Sequence, residues 1–133
     1  MGDFVFSIVA NAIDINTHRH FSTMRAIERW TLSAIQEGKD FRRANTEVVH
    51  DYRGEGGLRK TSVKLYGNTI ATIYPDRIEA CDCGEQTQTT KSRLNAILML
   101  CGDHAGFNQR QFNWYRKDNG ELVAPGSVQT FAR

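Results

Sequence analysis

The sequence has few cysteines, little proline and no long apolar run. Its 133 residues include 3 cysteines and 2 prolines, and no apolar segment approaches the ~20 residues that a membrane-spanning helix needs. The cysteine count is odd, and Asp3 stands where a secretory leader would carry basic residues. We therefore expect reduced thiols and a soluble intracellular protein with no membrane partner.

Neither sign of charge dominates the chain. Seventeen lysines and arginines against 15 aspartates and glutamates leave a formal net charge of +2 at pH 7. The lack of an acidic surplus argues against a protein that mimics DNA with massed carboxylates. The basic excess is too small by itself to establish nucleic-acid binding. The length and the hydrophobic fraction of 40% predict one domain over residues 1–133 with its own core.

Known catalytic motifs are absent from the sequence. It contains no phosphate-binding loop, nucleophile elbow or metalloprotease pattern. His18, His20, His50 and Asp51 could supply acid–base chemistry, but their spacing places no nucleophile or carboxylate partner beside a histidine. We therefore predict a protein that is not an enzyme and that carries no cofactor.

Four residues have the chemistry of zinc ligands. They are Cys81, Cys83, Cys101 and His104. Tetrahedral zinc favours thiolates and imidazoles at short spacing, but Cys-x-Cys is a poorer chelate than Cys-x-x-Cys. Cys101 also fits the apolar stripe of a predicted helix, where cysteine usually serves as a small buried hydrophobe. We predict no metal site.

The first segment with helical periodicity covers residues 22–37. Ser22 or Thr23 can cap its start, and Gly38 is typical of a helix end. The predicted buried stripe consists of Ile27, Trp30, Thr31, Ala34 and Ile35. We therefore expect Trp30 in the core.

The second helical segment covers residues 90–101. Leu94, Ile97, Leu98 and Cys101 follow the i, i+3, i+4, i+7 spacing of a buried face. Thr89 or Thr90 can cap its start, and Gly102 can end it.

The segments between and after these helices favour β-structure. Residues 3–15 permit either a strand or a helix, residues 39–45 read as a polar connection, and a loose tail is expected after Gly126 until Phe131. A Gly67-Asn68 hairpin turn and a Pro75-Asp76 turn punctuate a meander. The predicted strands are residues 46–53, 58–66, 69–74, 77–81, 111–117 and 121–124. The fold class is thus α+β, with an antiparallel sheet of four to six strands packed by one face on the two helices.

Three pieces of the sequence carry a family resemblance. Residues 63–72 read VKLYGNTIAT, residues 83–97 read CGEQTQTTKSRLNAI, and Trp114-Tyr115 is followed by Asn119-Gly120. In order and spacing they resemble a domain of small tailed-phage proteins, over about residues 58–124. The resemblance implies a phage or prophage setting, and hence the cytoplasm of a bacterial host. It brings no established catalytic or binding residues.

The polar start of the second helix is a candidate anion- or partner-binding site. Thr89, Thr90, Lys91 and Arg93 combine hydroxyls and two cations with the free N–H groups of a helix start. The alternative is a capped structural turn with solvated Lys91 and Arg93, in which Asn95 braces a neighbouring loop.

Two strand faces are candidates for an interface or for nucleic-acid contact. Lys60, Lys64 and Tyr66 share one face, and single-strand binders track phosphates with cations and stack aromatic rings on bases. The second predicted face consists of Phe112, Trp114 and Arg116. Trp114 and Tyr115 are adjacent and point to opposite faces, so we expect one of them buried and the other presented to solvent or a partner. The alternative is that each strand is half core and half solvated.

These observations and the resemblance together lead to a functional hypothesis. We expect a non-enzymatic phage accessory protein that binds and inhibits a host protein or ribonucleoprotein, such as an anti-defence inhibitor of the anti-CRISPR type. The alternatives are a phage protein that binds single-stranded nucleic acid and a binder of small nucleotide signals. The sequence leaves open whether the protein is a monomer or a homodimer.

Overall fold

The described part of the chain contains two helices and two antiparallel sheets, as seen in a computed structural model. Residues 24–52 and 57–133 are described. The segment 3–15, the histidines His18 and His20, and the proposed caps Ser22 and Thr23 lie outside these residues. No helix of the described part is long and apolar enough to cross a bilayer.

Along the chain, each helix is followed by a run of strands. Helix α1 is Ala26–Glu37, and helix α2 is Gln88–Leu98, which continues as a 3-10 turn at Met99–Cys101. The strands are β1 (Phe41–Arg43), β2 (Thr46–Tyr52), β3 (Leu58–Leu65), β4 (Asn68–Ile73), β5 (Arg77–Cys81), β6 (Phe107–Arg110), β7 (Asn113–Arg116), β8 (Leu122–Val123) and β9 (Val128–Ala132). The α+β class is confirmed.

The larger sheet has six strands in the order β1-β2-β3-β4-β5-β9, and every neighbouring pair is antiparallel. The smaller sheet has the order β6-β7-β8. The prediction of a loose tail was wrong, because β9 pairs with β5 and aligns Phe131 with Ile78. Phe131 is buried and meets the ring of Phe107 edge-on at 5.6 Å, so the tail closes the core between the two sheets.

The core lies between one face of the larger sheet and the two helices. Val48, Val63 and Ile78 supply the sheet side, and Leu94 and Ile97 supply the α2 side. Burial of each such side chain contributes about 1.5–3 kcal/mol of hydrophobic stabilisation. The apolar stripe predicted for the second helix is thus confirmed, while Cys101 is only half-buried in the 3-10 turn that follows.

Helix α1 differs from its prediction at its start and in its buried face. It begins at Ala26, and the residue at its N-cap position, Arg25, makes no side-chain capping bond. Trp30 is not in the core: it is 40% exposed, and the guanidinium of Arg43 lies 4.2 Å above its ring. Glu28 and Leu32 occupy the buried stripe instead. Because Glu28 carries a carboxylate, a pattern based on apolar residues does not place it on the buried face.

Two hairpin turns differ from the prediction: one is shifted by a residue, and the other was not predicted. Leu65 pairs with Asn68, so the β3–β4 turn consists of Tyr66 and Gly67, with φ of 51° and 81°. Positive φ at both positions is what a type I′ turn requires. The predicted Gly67-Asn68 turn was therefore wrong by one residue, and Tyr66 lies in the turn and not in the strand.

The second of these turns connects β6 and β7. Gln111 and Phe112 form it, with φ of 50° and 70°. The predicted strand 111–117 therefore begins only at Asn113, and Phe112 is outside it. Strand β6 was missed, and the predicted polar connection at 39–45 contains β1, where Phe41 pairs with Val48.

Candidate functional site

Helix α2 is capped by Thr87 and not by Thr89 or Thr90. The Thr87 Oγ1 accepts a hydrogen bond from the Thr90 backbone N–H at 3.2 Å. The Thr90 hydroxyl lies 3.0 Å from the same oxygen, and this residue is buried. Thr87 thus satisfies one of the N–H groups that a helix start leaves without a partner.

Arg93 is buried between the two helices. Its side chain is 3% exposed, and its Nη1 lies 4.0 Å from Oε2 of Glu28, whose side chain is 4% exposed. The Ser92 hydroxyl donates to the same carboxylate oxygen at 2.6 Å. Burial lowers the pKa of Arg93, and the Glu28 carboxylate opposes that change. Nε and Nη1 have no hydrogen-bond partner in the part of the chain that the structure describes.

The four residues of the predicted anion site therefore point in different directions. Arg93 faces α1, Thr90 is buried at the cap, and Lys91 donates from Nζ to the Gln109 Oε1 of β6 at 3.1 Å. Thr89 is half-buried. The structure does not bring their polar groups to one surface.

Asn95 holds the backbone at the first residue of β6, where the structural alternative predicted that it braces a neighbouring loop. Its Nδ2 donates to the Phe107 carbonyl at 3.0 Å, and its Oδ1 accepts from the Phe107 N–H at 2.8 Å. A Cβ on Gly106 would lie 2.7 Å from that Oδ1, and Gly106 has φ of +124°. Only glycine lets the backbone approach the amide so closely at this φ.

Lys60 and Lys64 lie on the open face of the larger sheet, each opposite a carboxylate. In the β2–β3 register Lys60 faces Asp51, and Lys64 faces Glu47. Residues directly opposite each other in an antiparallel pair share a face of the sheet. The charges of the two lysines are thus balanced locally. Tyr66 is 73% exposed at the turn beyond them.

Trp114 and Arg116 hold the smaller sheet against the core. Trp114 is fully buried, and its ring centroid lies 5.4 Å from that of Phe107. The Arg116 guanidinium donates two hydrogen bonds to the Asp118 carboxylate, at 2.9 and 2.6 Å. This pairing raises the pKa of Arg116 and lowers that of Asp118. Arg116 also donates to the Thr130 carbonyl at 2.9 Å, and its guanidinium lies 4.0 Å from the Phe131 ring centre. Trp114 is the buried member of the Trp114-Tyr115 pair.

The smaller sheet turns its other face to solvent. This outer face carries Asn108 and Tyr115 as one cross-strand pair, and Leu122 stands on the far side of Tyr115. The guanidinium of Arg110 lies 4.4 Å from the Tyr115 ring centre. Phe112, 89% exposed, projects at the hairpin tip. We call these five residues the outer face.

A groove of about 660 Å³ follows the β6 edge of the outer face. It lies between α2, which contributes Lys91, and the turn after β7, which contributes Lys117. Lys91, Arg110, Arg116 and Lys117 line it, and no carboxylate does so among the described residues. Sequence reasoning missed the groove because no glycine, proline or asparagine marks the Gln111-Phe112 turn that would have revealed β6.

The three cysteines are free thiols that contact backbone groups. The Cys83 Sγ donates to the Thr69 carbonyl at 3.2 Å, and its N–H donates to the Cys81 Sγ at 3.2 Å. Burial, with a smaller contribution from Cys81 and Asp82, raises the pKa of Cys83 to about 11. Burial also raises the pKa of Cys101. Across residues 24–52 and 57–133, no group of three or more His, Cys, Asp and Glu side chains is arranged to hold a metal ion.

His50 is a buried structural residue. Its Nε2 lies 3.1 Å from both the Ala34 and the Lys39 carbonyl oxygens, and its Nδ1 lies 2.8 Å from the Thr61 Oγ1. Asp51 is exposed on the opposite face of the strand. Both ring nitrogens are therefore engaged within the protein, and the neighbouring carboxylate points away from the ring.

Comparison with known proteins places the chain in a family. The model of the Kyanoviridae Gp96 protein family matches residues 24–130, which extends beyond the 58–124 of the resemblance on both sides. No curated protein and no solved structure matches the chain. Because the family model covers most of the sequence, the chain belongs to the Kyanoviridae Gp96 protein family, a family of phage proteins.

Proposed function

We propose that this protein is a phage accessory protein that binds a host macromolecule through the outer face of its smaller sheet. The observation that carries the proposal is the exposure of Phe112 at the hairpin tip, 89% of its surface, at a φ of 70°. A bulky residue rarely adopts positive φ, and strained, exposed positions cluster at functional sites. Aromatic residues and arginine are also the residues enriched at interface centres.

The neighbours of Phe112 support this role. Leu122, 61% exposed, lies opposite Tyr115 in the β7–β8 pair, and the guanidinium of Arg110 lies 4.4 Å from the centre of the Tyr115 ring. Apolar, aromatic and cationic groups thus meet on one small sheet. This combination suits an anchor that is desolvated against a partner while charged groups form the rim.

We further propose that binding inhibits the partner, as an anti-defence protein of the anti-CRISPR type would. Membership of a phage family supports the setting. A protein that acts by binding alone inhibits by covering a surface that the partner needs. The engaged ring nitrogens of His50 favour such occlusion over acid–base chemistry at that residue.

The test compares two exposed aromatic residues at equivalent hairpin turns. Phe112→Ser should abolish capture of the host partner from bacterial lysate and abolish any rescue of phage plating on a defended host. Tyr66→Ser is the matched control, because Tyr66 is also exposed at positive φ in a two-residue turn. Both variants should keep the unfolding temperature of the parent. Equal capture by both variants would remove the outer face from consideration.

A further inference from the structure

Four cationic residues line the groove beside the outer face, and no carboxylate of the described residues lines it. Lys91, Arg110 and Lys117 line the groove without an ion pair to a carboxylate of the described residues. Lys91 bonds only the neutral amide of Gln109 there, while Arg116 is neutralised by Asp118. A concave site lined by one sign of charge focuses its potential and attracts polyanions.

The open face of the larger sheet differs from the groove. Lys60 and Lys64 each face a carboxylate across the β2–β3 pair. Their cationic charge is therefore balanced at the distance of a neighbouring strand, whereas no carboxylate of the described residues lines the groove. This contrast selects the groove as the region that complements a phosphate backbone.

An aromatic ring and two amides stand within the same groove. Tyr115 presents a ring with Arg110 stacked at 4.4 Å, and Asn108 and Gln109 supply hydrogen-bonding amides. Rings that stack on bases and cations that track phosphates are the combination used by single-strand binders. In a duplex the base faces are stacked on each other, so Tyr115 could stack only on an unpaired base.

We propose that the groove binds single-stranded nucleic acid, with Lys91, Arg110 and Lys117 on phosphates and Tyr115 on a base. The inference deepens the proposed function and rests on it in part, because the groove adjoins the outer face. It names an unpaired nucleic-acid strand as the chemistry that the partner presents there.

The experiment measures fluorescence anisotropy of a labelled oligo(dT) of about 12 nucleotides, within the site sizes that sheet-based single-strand binders cover. A duplex of the same length serves for comparison. Three phosphate contacts predict that log K falls with log salt with a slope of about −2. Tyr115→Ala should weaken binding about 5- to 150-fold, the range measured for the loss of one stacked base.

Charge reversal provides the matched comparison. Lys117→Glu in the groove and Lys60→Glu on the open sheet face change the net charge equally. Lys117→Glu should abolish most binding, and Lys60→Glu should leave it within about twofold, because Lys60 lies on the larger sheet and does not line the groove. Equal effects of the two variants, tighter binding to the duplex, or no binding by the parent at about 50 mM salt would each overturn the proposal.

The two proposals can fail separately. Loss of oligonucleotide binding would overturn the groove proposal even where Phe112→Ser still abolishes capture of the host partner. Conversely, oligonucleotide binding that depends on Lys117 would support the groove proposal even if Phe112→Ser has no effect on capture of the host partner. Thermal unfolding of every variant separates loss of binding from loss of fold.

Discussion

The buried pair of Glu28 and Arg93 leads to the sharpest prediction about stability. Both side chains are almost wholly buried, Oε2 and Nη1 are 4.0 Å apart, and the Ser92 hydroxyl bonds the same carboxylate. We consider Glu28→Leu, Arg93→Met and the double variant. Leucine is close to glutamate in size, and methionine is shorter than arginine, so the changes remove both charges and leave some space at position 93.

The two single variants should both destabilise the protein, and Glu28→Leu should do so more. Removal of one partner of a buried pair costs about 3–5 kcal/mol, because the other charge stays buried without compensation. A guanidinium cannot release its proton, so Arg93 remains charged in Glu28→Leu. In Arg93→Met the carboxylate of Glu28 keeps its bond from Ser92. That variant also removes the two Arg93 donors that have no hydrogen-bond partner among the described residues.

The double variant should be much less costly than the sum of the single ones. Replacement of a buried ion pair by well-packed apolar residues is often neutral or stabilising by about 1–4 kcal/mol. The measurement is urea unfolding at pH 7, with the coupling energy taken from the double-mutant cycle.

Small and additive effects would refute this reasoning. If each single variant costs less than about 1 kcal/mol, the pair contributes no more than an exposed ion pair does.

Two further predictions concern the segment around α2. Thr87→Ala should lower the free energy of unfolding by about 1 kcal/mol, because it removes the cap of α2, whereas Thr89→Ala should change it by about a few tenths of a kcal/mol. Thermal unfolding of the two variants measures the difference, and a larger loss for Thr89→Ala would contradict the assignment of the cap. Cys83, with its pKa raised to about 11 from 9.0, should have about 100-fold less thiolate at pH 8 than an ordinary thiol. A thiolate of higher pKa is also more nucleophilic, which offsets part of this difference, so Cys83 should react with an aromatic disulfide reagent about tenfold more slowly than a free cysteine peptide. The rate should rise with pH up to about pH 11, and a rate equal to that of the free peptide would contradict the prediction.

The sequence predicted the elements whose signals are local. The spacing of Leu94, Ile97 and Leu98 predicts the buried face of α2, and alternation around Val63 predicts the buried face of β3. Gly38 ends α1 in a left-handed conformation, with φ of 69°, as its position indicated. In these places the periodicity and the turn chemistry agree with the final packing.

The elements that were missed depend on contacts distant in sequence. Strand β9 forms because its residues pair with β5, some fifty positions earlier, and no local sequence pattern around Phe131 indicates that register. The turn that follows β6 consists of Gln111 and Phe112, neither of which is a residue that usually marks a hairpin. Glu28 was missed for another reason: its place in a buried stripe depends on Arg93 and Ser92, which belong to another helix.

The candidate site was only partly predictable for the same reason. Asn95 was assigned a bracing role from its polarity, and the structure bears this out at Phe107. The groove, by contrast, combines Lys91 from one helix with Arg110 and Lys117 from a hairpin that sequence reasoning did not recognise. A binding surface assembled from such parts has no contiguous signal in the chain.

The polar residues that carry the family resemblance have structural positions within the scaffold. Thr87 starts the helix, Arg93 pairs with α1, and Asn95 holds the backbone of Phe107. Lys91 reaches Gln109 on the same small sheet. Helix α2 therefore sets the position of β6, and with it the groove and the outer face, without supplying most of their exposed side chains. On the proposed function, the hairpin side chains from 108 to 122 would determine which partner binds, and α2 would hold them in position.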